Sequence, residues 1–135
     1  MREILFRGKQ VNDGMWIQGY LFQFWGRAYI LWGMTNDTPT MHEVKPETIG
    51  QFTGLTDKNG VKIFEGDILH QAYHKENDFV VVFADGGFKV SYLYESQYHN
   101  VGFGCTTFCQ QNLTGNSFGK YAVIGNIHDN PELLT

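Results

Sequence analysis

Tight-turn signals at short intervals constrain this chain more than any other feature. Asp85-Gly86-Gly87 separates two arms, Phe79 to Ala84 and Phe88 to Leu93, both rich in β-branched and aromatic residues. Such arms favour extended backbone, and glycine supplies the positive φ that a two-residue hairpin turn requires. The pattern recurs along the chain. Ile4 to Arg7 reads as a first strand, and Asn12-Asp13-Gly14 turns into Met15 to Phe22. There Trp16, Gln18, Tyr20 and Phe22 share one face while Ile17, Gly19 and Leu21 share the other. Trp25-Gly26-Arg27 leads into Ala28 to Trp32, and Asp57-Lys58-Asn59-Gly60 interrupts Phe52 to Phe64. Phe64-Glu65-Gly66-Asp67 turns into Ile68 to Tyr73, and the last strand, Tyr121 to Ile127, stops before Asp129-Asn130-Pro131. Thr35 to Pro46, with two prolines and several turn formers, reads as a surface connection. Helix is expected at most briefly, over Tyr92 to His99.

These signals predict a mainly β, antiparallel protein, and 135 residues fit one domain spanning 1–135. Charged residues make up 18% of the chain, below the soluble average of about 25%, which suits packed strands rather than disorder. With 14 acids against 10 bases, the net charge of −4 disfavours general coating of nucleic acid, which depends on phosphate neutralisation by Lys and Arg. No apolar run approaches the ~20 residues that span a bilayer, and Met1-Arg2-Glu3 does not open a signal peptide. The expectation is a cytoplasmic protein without a membrane partner, its Cys105 and Cys109 kept as thiols.

Three stretches carry a family resemblance. Arg2-Glu3-Ile4-Leu5-Phe6-Arg7-Gly8 opens it. Val44-Lys45-Pro46-Glu47-Thr48-Ile49-Gly50-Gln51-Phe52-Thr53-Gly54-Leu55 continues it, followed by Asp57-Lys58-Asn59-Gly60 and Ile63-Phe64-Glu65-Gly66-Asp67-Ile68-Leu69. Val123-Ile124-Gly125-Asn126-Ile127-His128-Asp129-Asn130-Pro131-Glu132-Leu133-Leu134 closes it. In this order they resemble the YopX family of bacteriophage and prophage proteins. The resemblance implies a phage-encoded domain acting in a bacterial host cell, with antiparallel hairpins around a small SH3-like barrel core and an irregular inserted or projecting segment. It implies no transferable activity and no cofactor. Gly54, Gly60, Gly66, Asp67 and Gly125 read as fold-specifying, at turns or where backbones approach closely.

Candidate chemistry is sparse. Glu65 and Asp67, with Asp57 or His70, are the nearest approach to a metal-dependent hydrolase, yet turn preference accounts for the Gly-Asp pair. His70, His74, Cys105 and Cys109 are the nearest approach to a zinc site. Residues four apart on a strand stand ~13 Å apart and cannot share one ion, so no metal is assigned. His42, His99 and His128 occur singly, without a nucleophile motif. Arg2, Arg7 and Lys9, interleaved with Phe6 and near Trp16, form a possible nucleic-acid cradle of cations and an aromatic face. Val90 to Gly119 contains Glu95 as its one formally charged residue and carries Tyr94, Tyr98, Phe103, Phe108 and Phe118. That composition suits an interface joining subunits or binding a phage or host protein. The leading expectation is a non-enzymatic binding or self-associating module, with nucleic-acid binding and hydrolysis as successive alternatives.

Overall fold

A computed structural model describes residues 3–71, 74–84, 86–92 and 121–134. Its strands are β1 (Phe6–Lys9), β2 (Trp16–Phe24), β3 (Arg27–Thr35), β4 (Thr38–Val44), β5 (Gly50–Thr56), β6 (Lys62–Phe64), β7 (Asp67–Gln71), β8 (His74–Ala84), β9 (Gly87–Tyr92) and β10 (Tyr121–Asn126). Short 3-10 turns occupy Pro46–Thr48 and Pro131–Leu134. The described residues include no α-helix, and most of the brief helix expected over Tyr92 to His99 lies outside them.

Two compact units are formed, Met1–Phe52 and Thr53–Thr135. In the first, β1 pairs antiparallel with β2 and with β5, β2 with β3, and β3 with β4. In the second, β7 pairs antiparallel with both β8 and β10, and β8 with β9. The strand orders are β4-β3-β2-β1-β5-β6 and β10-β7-β8-β9. Both sheets are open, which corrects the expected SH3-like barrel. Closure depends on strand number, tilt and stagger acting together, and turn signals report none of these. At one end of the first sheet, β4 carries Pro39, which has no N–H to donate and suits an edge.

Hairpin chemistry accounts for the local connections. Trp25 and Gly26 hold φ of +52° and +76° between the paired residues Phe24 and Arg27. Asn36 and Asp37 hold +52° and +63° between Thr35 and Thr38. Positive φ at both central positions matches the right-handed twist of the flanking strands. The second turn overturns the surface connection expected over Thr35 to Pro46, since most of that stretch is strand β4.

Each unit has its own core. Ala28, Ile30 and Val44 are buried in the first, flanked by Phe6, Ile17, Leu21 and Ile49. Gly8 admits Val44, whose side chain lies 3.0 Å from where a Cβ would stand. Gly19 is needed for a tighter reason: a Cβ there would collide with the Leu31 carbonyl. Ile63, Leu69, Phe79, Val81, Val90 and Tyr121 form the second core, with Phe79 and Tyr121 packed edge to face at 5.6 Å. A bulge at Ile124 shifts the β10–β7 register between Val123 and Gly125.

Candidate functional site

Alternation along β2 places Trp16, Gln18, Tyr20, Phe22 and Phe24 on the face opposite the first core. The cross-strand register adds Lys9 beside Trp16 and Arg7 beside Gln18 from β1. From β3 it adds Leu31 beside Tyr20, Tyr29 beside Phe22 and Arg27 beside Phe24. Directly opposed residues on paired strands point to the same side, so the aromatics and the three cations share one surface. Tyr20 is 63% exposed, Phe22 48%, Phe24 42% and Trp25 92%.

The rings touch one another without being covered. Phe22 and Phe24 have centroids 5.3 Å apart, Phe24 and Tyr29 stack at 6.0 Å, and Phe24 and Trp25 meet at 5.0 Å. At the β1 side, the Arg7 guanidinium lies 4.8 Å and the Lys9 ammonium 5.5 Å from the Trp16 ring centroid. Cations are drawn to the negative face of an aromatic ring, so Trp16 orients both charges. At the far end, a hydrogen bond with Tyr29 and the nearby Glu43 carboxylate hold the Arg27 pKa above its ordinary value. A shallow depression lined by Tyr20, Leu31, Trp32, Gly33 and Met34 lies alongside the aromatic row.

A buried threonine holds β1 in register for this surface. The Thr48 hydroxyl donates to the Lys45 carbonyl at 2.7 Å and accepts the Lys9 amide at 2.9 Å, while the Lys45 amide donates to the Lys9 carbonyl at 2.8 Å. Lys45-Pro46-Glu47-Thr48 thus acts as a clasp on the strand that carries the cations.

Other candidate residues have structural surroundings. Asp57 is buried, and its carboxylate accepts amides from Asn59 at 2.8 Å, Val61 at 2.9 Å and Val123 at 2.9 Å. Burial pushes its pKa up, but those three amides and the Lys58 charge outweigh it and leave the pKa below the ordinary value. Buried Asp67 accepts the Phe64 amide at 2.7 Å, closing the turn in which Gly66 has φ +93°. Gly54 and Gly60 also have positive φ, +89° and +82°. Gly125 does not; a Cβ there would strike the Asn130 side chain. His70 Nδ1 lies 2.8 Å from Asp78 Oδ1 across β7 and β8. Among the described residues, no group of three or more His, Cys, Asp and Glu is arranged to hold a metal ion.

Of the cradle read from the sequence, Arg7, Lys9 and Trp16 come together, while Arg2 lies outside the described residues. Tyr94, Tyr98, Phe103, Phe108 and Phe118 also lie outside them, as do Cys105, Cys109 and the His74 side chain. Phe24, Trp25, Arg27 and Tyr29 were not singled out by sequence reading. The alternation that groups Tyr20 with Phe22 extends naturally to Phe24, whereas Tyr29 and Arg27 join only through cross-strand register.

Two open antiparallel sheets, one presenting an exposed aromatic face, define this as a β-sheet protein without barrel closure. The YopX protein family model matches residues 5–135, and the chain belongs to that family of phage and prophage proteins. The crystal structure of protein EF1440 from Enterococcus faecalis is similar, with a TM-score of 0.55 and 28% sequence identity over 100% of both chains. No curated protein gives a significant match. No helix among the described residues is long and apolar enough to cross a membrane.

Proposed function

We propose that the protein is a non-enzymatic recognition module of a bacteriophage or prophage, acting in the host cytoplasm and engaging its partner on the open face of β1, β2 and β3. The observation that supports this reading is the continuous exposed run Tyr20, Phe22, Phe24 and Trp25. Isolated exposed apolar residues are ordinary, whereas a contiguous patch flanked by charge is characteristic of a binding surface. Aromatic side chains bury much area while losing little rotamer freedom, so they dominate recognition energetics.

Site-specific photocrosslinking in host cells carrying the phage tests the reading. A photoreactive benzoyl-phenylalanine at position 22 reports on the aromatic face, and the same group at exposed Gln23 reports on the opposite side of the same strand. Adducts from position 22 that are absent from position 23 are expected. Equal adducts from both positions, or none from position 22, would remove this face as the binding surface.

A further inference from the structure

We infer that the occupant of this face is a single-stranded nucleic acid, an inference that rests on the face being the binding surface. Alternate residues on a strand recur every ~7 Å, close to the separation of successive nucleotides in an extended strand. Tyr20, Phe22 and Phe24 therefore present exposed rings from backbone positions that repeat at about the nucleotide step, with the Phe22 and Phe24 rings leaning together at 5.3 Å. Each has open surface, 63%, 48% and 42%, while contacts with Tyr29 and Trp25 fix the cluster. Base stacking on aromatic side chains is tolerant of sequence because every base has a π-face. A duplex hides those faces within its own stack, so the geometry selects single strands.

Charge favours a polyanion over a protein. The cations bracket the aromatic row: Lys9 and Arg7 oppose Trp16 and Gln18 at one end, and Arg27 opposes Phe24 at the other. From Gln18 to Phe24 the strand covers ~20 Å, which spans about four nucleotides, near the lower limit for a single stacking platform. Lysine is depleted at protein–protein interfaces, yet Lys9 is anchored over Trp16 within this surface. Glu43 lies close enough to Arg27 to raise its pKa, so one carboxylate accompanies the three cations on this side. Residues 1–52 contain five bases and five acids, whereas residues 53–135 contain five bases and nine acids, so the chain's net negative charge resides away from this unit.

Backbone strain supplies an independent observation. Trp25 holds φ +52° at a hairpin tip while 92% exposed. A left-handed conformation is unfavourable for a bulky side chain, and such departures concentrate at functional positions. Asparagine would suit this turn better. The indole at the end of the row is the feature that the strained turn retains.

The test uses the full chain and fluorescent oligo-dT and oligo-U of about 12 nucleotides, followed by anisotropy between about 50 and 200 mM salt. Both single strands are expected to bind, with the tighter one identifying DNA or RNA as the source, and the corresponding duplex at least tenfold weaker. Affinity should rise steeply up to about four nucleotides and only statistically beyond. Log affinity should fall with log salt, with a slope of about −2 as the steepest value, reached when all three cations meet phosphates at about 0.7 each. Phe22→Ala should weaken binding at least fivefold with an unchanged melting curve. Trp25→Asn should weaken binding while raising the melting temperature, a pairing that a purely structural role would not produce.

Absence of an anisotropy change at about 100 µM protein, the weak end of non-specific affinity, overturns the inference. So does binding that survives Phe22→Ala or accepts duplex equally, since both describe electrostatic adhesion alone. If oligonucleotides fail while position 22 crosslinks specifically to a protein, the nucleic-acid inference falls and the binding face stands. If both fail, both fall.

Discussion

Asp57 is a buried carboxylate held by both near and distant backbone. Three backbone amides converge on it, two from its own turn and one from β10. Hydrogen bonds to a charged acceptor contribute more than neutral ones, and losing the charge weakens all three together. Asp57→Asn is therefore expected to destabilise the protein by about 2 kcal/mol at neutral pH, measured by urea denaturation. Because the folded pKa is depressed, this stabilisation is full above the unfolded value of about 3.9 and is lost as pH falls through the lower folded value. Parent and variant stabilities should converge under acid, and parallel curves would show that the charge contributes nothing. Gly60 has a separate requirement: with φ +82°, Gly60→Val should cost about 1 kcal/mol or more, and an unchanged melting temperature would oppose the turn assignment.

At the scale of elements, Gly19 and Gly33 make a controlled pair. A Cβ at Gly19 would meet the Leu31 carbonyl, whereas none of the three nearest atoms lies within 4 Å at Gly33. Gly19→Ala should lower stability by about 1–3 kcal/mol, and Gly33→Ala should leave it nearly unchanged. Equal melting temperatures would contradict the close approach of β2 and β3. At the β3–β4 turn, Asp37→Gly should raise the melting temperature by relieving φ +63°. The hairpin pairing Phe79–Ala84 with Gly87–Tyr92 was legible because its arms favour extended backbone and Gly86 takes φ +81°. Strand β4 was not, because Asn36 and Asp37 supply the positive φ without glycine and Pro39 resembles a strand breaker until its edge position is known. Trp16, Gln18, Tyr20 and Phe22 could be grouped by alternation alone. Their neighbours Tyr29 and Arg27, and the Val123 partner of Asp57, depend on pairings that local patterns do not encode.

For the whole molecule, the two cores draw on different spans of chain. The first-unit pairings lie within residues 1–52, while the second includes Tyr121 of β10 in its core. Lys58 also donates its amide to the Tyr121 carbonyl at 3.0 Å, and Ile127 to Gly66 at 2.9 Å. Removing residues 121–135 should therefore abolish hydrogen-exchange protection of β7 amides while β2 and β3 amides retain theirs. Retained β7 protection would show that β10 is dispensable to that core. Open sheets rather than a barrel make this dependence possible, since β10 joins β7 at an edge.

The 66-residue separation between Asp57 and Val123 also sets an order of events on the ribosome. Asp57 emerges long before its partner strand is synthesised, so its carboxylate must remain hydrated through most of translation. The strands bearing the aromatic face are translated first and have their pairing partners early. A nascent chain therefore exposes its aromatic face while the second unit still awaits β10, so the protein is assembled in a fixed direction.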